Sequence, residues 1–523
     1  MRSPRLAVLA SAALLATGLA VPSLADHDEN HTNGCIKSVP ELGTTDEVDI
    51  CYTIYKPAGA SAANPVPMVM HSHGWGGSRT SSEGAFASWL DKGFGVLSFD
   101  QRGFGQSGGK ARVENPDFEG QDVIKLVDLI ASLDWVAKET ITTDGKGKGK
   151  KKATTTTTND PVLGAIGGSY GGGYQFVGAF TELRDRGATR FDALAPEITW
   201  FNLKEALAPD EVARSTWLTL LTAAGSEALP QEVVAAYAYG ASTGQWPGAG
   251  NPIADLDAFF EKNGPAWHVA QGRTLDIPVL FGQGTPDNLF NLNQGLKNFA
   301  QALTPEARAE SIFIGYNGGH VLPNVLPAAY AGSGDPCAQQ LGGGSFSQLS
   351  QKFFQEKLLG LSQGLTGYGD YHIATTEDVC VTVDSVEPTT SVELGTVPTT
   401  TAAGGPLAFE LGAGPMRLAG QPMVDALVTS VGVENRAFFA LSVGTSPADA
   451  RVVANNVMPL SEPLPVVGEA RSFELPAIAV DVPEGSKLFL TVSPVSDMYF
   501  SHGSRTPGAL VLESTVVRLP VVS

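Results

Sequence analysis

After its first 25 residues the chain has no apolar run as long as a membrane span. Transmembrane helices need about 20 consecutive apolar residues, so no membrane span is predicted. The exception is Met1–Ala25, in which Arg2 and Arg5 precede a short Ala- and Leu-rich run and Ser23-Leu24-Ala25 fits the small-x-small cleavage rule. This run is short for a membrane anchor. We predict a signal peptide cleaved after Ala25 and a secreted protein.

Cysteine is scarce, and no C-x-x-C pair is present. The spacing that metal sites require is therefore missing, and neither a metal nor a cofactor is predicted. An even number of cysteines in an exported protein favours two disulfides. Three pairings are compatible with the sequence, and the sequence-local choice is Cys35–Cys51 with Cys337–Cys380.

Positive charge is also in short supply, with 34 Lys and Arg against 54 Asp and Glu and a net charge of −20 at pH 7. Nucleic acids and anionic membranes are themselves negative, so this balance argues against both as partners. The remaining composition, 43% hydrophobic and 17% charged, is that of an ordinary globular protein.

A single hydrophobic core does not extend over 523 residues, so two or three domains are expected. Residues 201–274 favour helices between two strand candidates, as a cap does. From about Ser385, short β-rich runs separated by turn residues predict an all-β sandwich or jelly roll. The predicted division is a signal peptide, 1–25; an α/β core, 26–200, with a low-complexity Lys/Thr loop at 142–159; a helical cap, 201–275; the rest of the core, 276–384; a linker, 385–405; and the β-sandwich, 406–523.

The glycine-rich stretch Val162–Gly173 reads V-L-G-A-I-G-G-S-Y-G-G-G. It contains G-x-S-x-G between an apolar run and a helix-compatible segment, which is the pattern of a strand–turn–helix nucleophile elbow. Side chains at the outer glycines, Gly167 and Gly171, would clash with the neighbouring strand and helix. Ser169 is therefore the predicted nucleophile.

A second glycine cluster, H-S-H-G-W-G-G-S, follows the predicted strand Val66–His71. In hydrolases of the α/β class such a loop supplies one arm of the oxyanion hole. We assign the two arms to the backbone N–H groups of Trp75 and Tyr170. Structural roles are expected for His71 and His73.

An acid and a histidine each follow a predicted strand downstream of Ser169. Asp287 comes after Ile277–Phe281, and His320 comes after Ser311–Gly315, which is expected to be the last strand of the core sheet. The order Ser, Asp, His is that of α/β-hydrolases. The alternatives are a turn-forming role for Asp287 and a catalytic role for His268 of the helical insert.

These residue types fit one chemistry. A serine hydroxyl needs an adjacent base, which His320 would supply by accepting the proton of Ser169 and passing it to the leaving group. Asp287 would hold the imidazole in the required tautomer. The sequence thus predicts a hydrolase that acts through an acyl-enzyme.

Several of these motifs together resemble the Xaa-Pro dipeptidyl-peptidase and cocaine-esterase family of α/β-hydrolases. The resemblance covers most of the chain from about Pro65. It implies an α/β-hydrolase fold with a helical cap and a C-terminal jelly roll, and a catalytic triad that falls on Ser169, Asp287 and His320. The family often uses a tyrosine side chain as an oxyanion donor near the position where Trp75 stands. The matching motifs are G-G-S-Y-G-G at 167–172, G-x-G-x-x-D-N-L-F at 282–290, G-G-H at 318–320, E-G-Q-D at 119–122, L-D-W at 133–135 and V-P-E-G-S-K-L-F-L-T-V-S-P at 482–494.

The resemblance implies either a dipeptidyl-peptidase that acts on a small peptide, which we place first, or an esterase or acylase that acts on a small acyl compound. A non-catalytic binding protein on the same scaffold is the third hypothesis. An aminopeptidase needs carboxylates for the substrate's ammonium group, whereas an esterase needs only an apolar pocket. The sequence assigns neither the substrate-binding residues nor the oligomeric state. The candidate carboxylates are Glu197, Glu205, Asp210 and Glu211, and the candidate pocket aromatics are Trp200, Phe201, Trp217 and Trp246.

Overall fold

The computed structural model describes residues 30–82, 84–143, 154–322, 329–330, 332–400, 404–454, 456–500 and 508–522. The predicted signal peptide, 1–25, lies outside the described residues, as do residues 144–153 of the Lys/Thr stretch.

The first part of the chain alternates strands and helices. Its strands are short and apolar where they cross the middle of a sheet, and its helices cover them. The elements are β1 (Asn30–Ser38), β2 (Val48–Lys56), β3 (Met68–Ser72), α1 (Ala87–Leu90), β4 (Gly95–Phe99), α2 (Glu119–Ser132), β5 (Lys138–Thr143), β6 (Thr154–Pro161), β7 (Leu163–Gly168), α3 (Tyr170–Arg186) and β8 (Ala193–Glu197).

A largely helical segment follows β8, in the interval where the sequence predicts a cap. It consists of α4 (Leu203–Leu207), a single 3-10 turn (Pro209–Glu211), α5 (Ser215–Gly225), α6 (Gln231–Thr243), α7 (Leu256–Phe260) and α8 (Pro265–Ala270).

The chain then returns to the sheet. The elements of this part are β9 (Leu280–Gly284), α9 (Leu292–Gln301), α10 (Pro305–Ala309), β10 (Ile312–Tyr316), β11 (Ala329–Tyr330), α11 (Pro336–Gln340), α12 (Phe346–Leu359), β12 (Tyr371–Ala374) and β13 (Cys380–Val383).

Ten strands form the main sheet, in the order β1-β2-β4-β3-β7-β8-β9-β10-β12-β13. The strands from β4 to β12 run parallel, and antiparallel strands complete both edges. Central strands such as β4 and β9 are buried along their whole length, as expected of parallel strands covered on both faces. One face packs against α2, α3 and α9, and the other packs against α1, α11 and α12.

The prediction that Ser311–Gly315 is the last strand of this sheet is wrong. β12 pairs with β10 in parallel, and β13 closes the edge as a hairpin with β12. These two strands have only four residues each, so their sequence signal is weak. The Cys337–Cys380 disulfide ties β13 to α11. Cys35–Cys51 joins the paired strands β1 and β2, so both predicted disulfides are confirmed.

The C-terminal part is built of strands in three sheets. These are a six-stranded sheet, β11-β19-β18-β23-β15 with β20 on β18, a four-stranded sheet, β14-β24-β17-β21, and a three-stranded sheet, β22-β16-β25. Its strands are β14 (Thr390–Thr400), β15 (Leu407–Ala413), β16 (Met416–Gly420), β17 (Met423–Val431), β18 (Asn435–Gly444), β19 (Arg451–Val453), β20 (Met458–Glu462), β21 (Glu469–Glu474), β22 (Ile478–Val482), β23 (Lys487–Ser493), β24 (Ala509–Leu519) and β25 (Val521–Val522), with a 3-10 turn at Asp497–Tyr499.

Strands lie within both the predicted linker and the predicted Lys/Thr loop. Residues 385–405 are predicted to be a linker, but β14 lies within them and pairs with β24. Pro398 and Gly395 give the sequence a loop-like signal, while its Thr and Val residues favour a strand. Similarly, β5 and β6 form an antiparallel pair at the described ends of the Lys/Thr stretch.

Together the parallel sheet, the cap helices and the C-terminal β sheets make an α/β-hydrolase fold with a helical cap and a jelly-roll-like region. In the described portion of the chain, every helix is too short or too polar to cross a membrane.

Candidate active site

Ser169 lies at the turn between β7 and α3, at the C-terminal edge of the parallel sheet. Its backbone has φ 58° and ψ −122°, a conformation that costs energy for any residue except glycine. Two glycines make the turn possible. A Cβ at Gly167 would lie 2.5 Å from the Gly171 carbonyl oxygen, and a Cβ at Gly171 would lie 2.4 Å from the Ser72 carbonyl oxygen. The local geometry is therefore that of a nucleophile elbow.

The imidazole of His320 bridges Ser169 and Asp287. Its Nε2 lies 2.8 Å from Ser169 Oγ, and its Nδ1 lies 2.7 Å from Asp287 Oδ2. His320 belongs to the loop after β10, and Asp287 belongs to the loop after β9, so neighbouring parallel strands deliver the two side chains to one edge. With the proton on Nδ1 held by the carboxylate, Nε2 is an acceptor for the serine hydroxyl.

The Asp287 carboxylate is fully buried and saturated with hydrogen bonds. Its Oδ1 accepts the backbone N–H groups of Leu289 and Phe290, each at 2.9 Å, and its Oδ2 also accepts the His320 amide at 3.0 Å. Gly319 leaves room for this arrangement, because a Cβ there would lie 2.6 Å from Oδ2. Hydrogen bonds of this kind fix the direction of the carboxylate.

The two residues predicted to form the oxyanion hole lie beside the serine. Tyr170 is the first residue of α3, where backbone N–H groups have no partner within the helix. Trp75 follows Gly74, at which a Cβ would lie 3.8 Å from the Ser169 Cβ. The indole of Trp75 donates a 3.0 Å hydrogen bond to the Leu221 carbonyl of α5. The indole nitrogen of Trp75 is thus engaged with the cap.

An apolar cavity opens beside Ser169, between the sheet and the cap. Its empty space is about 370 Å³, including the open mouth. Its wall is formed by residues of the loop after β3, of the helices α3, α4, α5 and α6, and of the loop that carries Asp287, together with others. The lining residues are Trp75, Val113, Ser169, Tyr170, Trp200, Leu203, Leu207, Leu221, Tyr237, Leu289 and Phe290.

No carboxylate of the described residues lines this cavity. Glu197 accepts a 2.5 Å hydrogen bond from the Tyr316 hydroxyl, and burial raises its pKa. Glu114 follows the lining residue Val113, but burial, with the nearby carboxylates of Glu119 and Asp122, raises the pKa of Glu114 well above its usual range and favours its uncharged form. The other candidates are engaged elsewhere: Glu205 with Lys297, Glu211 with Lys204, and Asp210 with the Ser461 amide.

The four aromatic residues proposed from the sequence for the pocket do not all line the cavity. Trp200 lines the cavity. Phe201 is buried near it, whereas Trp246 packs on Phe260 and donates to Asp257 within the cap. Trp217 instead lies edge-on to His320.

The other histidines considered in the sequence have structural surroundings. His71 contacts the Ser98 hydroxyl at 3.0 Å, and burial lowers its pKa to about 4. His73 Nε2 accepts the Gln101 amide at 3.1 Å. His268 stacks on Phe180 with ring centroids 4.7 Å apart. Their partners are thus other than Ser169, whose hydroxyl lies within hydrogen-bond distance of His320.

The sequence model of the X-Pro dipeptidyl-peptidase (S15) family matches residues 46–321, slightly more than half of the chain. The chain belongs to this family. It is accordingly a serine hydrolase, in a family of peptidases and ester hydrolases. A sequence comparison with curated proteins gives no match.

Three solved structures superimpose on nearly the whole chain. An aminopeptidase from the marine sediment archaeon Thaumarchaeota archaeon has a TM-score of 0.64 at 12% identity and covers 97% of this chain and 99% of its own. A CocE/NonD family hydrolase from Staphylococcus aureus has a TM-score of 0.61 at 12% identity, covering 96% and 99%. An α-amino acid ester hydrolase has a TM-score of 0.59 at 15% identity, covering 96% and 98%. At these identities the likeness establishes the fold.

In this S15 chain, the residues that surround His320 were not expected from the sequence to contact it. Trp217 of α5 lies edge-on to His320, and Phe290 meets the same ring from another side at a centroid distance of 5.4 Å. Asn288 follows Asp287, and its side chain accepts the Trp217 indole N–H. Asn288 is part of the D-N-L-F motif, and its position next to Asp287 is the sequence signal that could have identified it. The sequence marks Trp217 only as a candidate pocket aromatic, and no motif points to its contact with His320.

Proposed function

We propose that Ser169, His320 and Asp287 form a catalytic triad that hydrolyses carboxylic esters with an apolar acyl group. The observation that carries this proposal is the His320 ring, with one nitrogen 2.8 Å from Ser169 Oγ and the other 2.7 Å from Asp287 Oδ2. Membership of the S15 family supports it.

In the first half of the reaction, Ser169 Oγ attacks the acyl carbon while His320 Nε2 accepts the hydroxyl proton. The carbonyl oxygen gains negative charge and is stabilised by the Trp75 and Tyr170 amides. His320 then returns the proton to the departing alkoxide, and the acyl group remains on Ser169. In the second half, water attacks the acyl carbon while His320 Nε2 accepts one of its protons. His320 then returns the proton to Ser169 Oγ as the acyl–Oγ bond breaks, and the carboxylic acid is released.

The wall of the cavity supports an ester substrate over a peptide with a free amino terminus. A buried ammonium group without a partner carries a large free-energy cost, and no described carboxylate lines the cavity. An apolar acyl chain needs only the aliphatic and aromatic side chains that are present. The dipeptidyl-peptidase activity placed first from the sequence is therefore our second candidate, and the S15 family description is the observation in its favour.

Two chromogenic substrates separate these candidates: a short-chain nitrophenyl ester and a Gly-Pro anilide. We expect ester turnover that falls by roughly three orders of magnitude or more in Ser169→Ala. The matched control is Ser78→Ala, which removes an exposed hydroxyl nearby in sequence to Trp75 and should retain activity. Full activity in Ser169→Ala would contradict the proposed nucleophile. Turnover of the anilide that disappears when its amine is blocked would favour the dipeptidyl-peptidase.

We also propose that the protein is exported and that residues 1–25 are removed. The two disulfides support this, because disulfides persist in oxidising compartments. Amino-terminal sequencing of protein from the medium of the producing cell should begin at Asp26. Intact residues 1–25 on cell-associated protein would contradict the cleavage.

A further inference from the structure

Two consecutive carbonyl groups in the Asp287 loop are bound from outside the parallel-sheet core. The Asp287 carbonyl oxygen accepts a 2.8 Å hydrogen bond from Nδ2 of Asn456, between β19 and β20 of the C-terminal region. The next carbonyl, that of Asn288, accepts a 2.8 Å hydrogen bond from Nη1 of Arg214, at the start of α5 in the cap. The loop that carries the acid is thus bound on its outer side by two other parts of the chain.

All four residues are buried. Asp287 and Asn288 are 0% exposed, Arg214 is 1% exposed and Asn456 is 2% exposed. A buried carbonyl without a donor costs free energy comparable to a lost hydrogen bond, so each contact restricts the loop to conformations that keep it. The Arg214 guanidinium also lies over the Tyr499 ring of the C-terminal region, 5.6 Å from its centroid.

The amide of Asn456 is committed to this loop. Its Nδ2 bonds the Asp287 carbonyl, while its Oδ1 is buried without a hydrogen-bond partner among the described residues. Its neighbour Val457 belongs to the same apolar cluster as Tyr170 and Leu289, which line the cavity. The C-terminal region therefore packs directly on the site.

We propose that Asn456 is a positioning residue of the active site, which acts through Asp287. The hydrogen bond to the Asp287 carbonyl holds the backbone from which the carboxylate reaches His320. This inference rests on the proposed triad. It implies that the C-terminal β region holds the loop of Asp287 in the conformation that the triad needs. Displacing a catalytic group by about 1 Å costs up to about 100-fold in rate, so the loss of this one contact is enough to lower kcat.

A double-mutant cycle between Asn456 and Asp287 tests the proposal in the full-length protein, with hydrolysis of nitrophenyl acetate as the readout. We expect Asn456→Ala to lower kcat about tenfold with little change in KM, because the acyl pocket is intact. In the Asp287→Ala background, the same substitution should lower the residual rate less than about twofold, since the group it positions is gone. Asn456→Asp, which replaces the donor by an acceptor, should be at least as harmful as Asn456→Ala.

Asn293 provides the matched control. It is a fully buried asparagine of α9 that also bridges to the C-terminal region, donating to the Leu475 carbonyl and accepting the Ala477 amide. Asn293→Ala should lower the urea midpoint of unfolding as Asn456→Ala does, yet leave kcat unchanged.

Four results would overturn the proposal. Unchanged kcat in Asn456→Ala would show that the contact does not position the acid. Equal losses in both backgrounds, or an equal loss in Asn293→Ala, would show general damage. Full activity in Asp287→Ala would overturn the triad itself, and this outcome is distinguishable because it does not involve Asn456.

Discussion

Trp217 and His320 meet edge to face, with ring centroids 5.8 Å apart and an interplanar angle of 87°. The indole nitrogen of Trp217 also donates a 3.0 Å hydrogen bond to Asn288 Oδ1, on the residue next to Asp287. One cap side chain therefore contacts both the proposed base, His320, and the loop of the proposed acid, Asp287. An edge-to-face contact of this kind restricts the rotation of the imidazole.

Replacing Trp217 by Phe keeps an aromatic ring and removes the N–H donor. We expect kcat to fall by about three- to tenfold, because the buried Asn288 oxygen loses its partner and the acid loop relaxes. Trp246→Phe is the matched control, since it removes a similar 3.0 Å bond from indole to Asp257, within the cap. Steady-state kinetics of the two variants should differ, and equal kcat values would contradict a role for Trp217 in the site.

Replacing Asp287 by Asn preserves the size of the side chain and removes its charge. The amide would favour the wrong tautomer of His320, so kcat should fall by roughly 10⁴-fold. Asp100→Asn is an informative comparison, because Asp100 is also buried but pairs with Arg79. That variant should lose stability by roughly 3–5 kcal/mol and keep its Ser169 reactive toward a fluorophosphonate. Rapid ester turnover by Asp287→Asn would exclude Asp287 as the acid.

Leu207 contributes to the wall of the cavity and is 1% exposed. Leu207→Phe adds volume to that wall, so esters with long acyl chains should lose their binding space first. We expect the ratio of kcat/KM for hexanoate to that for acetate to fall by about tenfold or more. Leu256→Phe, in the same apolar cluster but not on the cavity wall, is the control. An unchanged chain-length profile in Leu207→Phe would place the acyl group elsewhere.

We expect His268 to make the free energy of unfolding depend on pH. Burial, followed by the nearby Arg273, lowers the pKa of His268 to about 3, while the value in an unfolded chain is about 6.5. The unfolded state therefore binds the extra proton between these values, and the stability due to neutral His268 is complete above about pH 6.5 and is lost as the pH falls toward 3.

His268→Phe should retain the stacking on Phe180 and remove this titration. On going from pH 7.5 to pH 5.0, the variant should lose roughly 2 kcal/mol less unfolding free energy than the wild type. Urea unfolding at the two pH values measures the difference. Parallel losses in both proteins would mean that His268 does not contribute to acid sensitivity.

The elements that sequence reasoning located best are those whose chemistry is local. The elbow around Ser169 needs glycines at fixed offsets, and strand ends followed by Asp287 and His320 are visible as motifs. The short edge strands β12 and β13 were not recognisable, because four residues carry little periodicity. Asn456 was also not recognisable, since it lies 169 positions from the carbonyl that it binds and no local pattern links the two. Contacts of that kind depend on how distant sheets pack.

The pairing of β14 with β24 has a consequence for the order in which the enzyme matures. β14, the first strand of the C-terminal region, cannot pair with β24 until nearly the whole chain has been synthesised. During synthesis, Ser169, Asp287 and His320 are all made long before Asn456 and the strands around it. If the acid loop needs that region, a nascent or truncated chain holds every residue of the triad and still works poorly. Full hydrolytic activity then appears only when translation has finished, and it reports on a complete molecule.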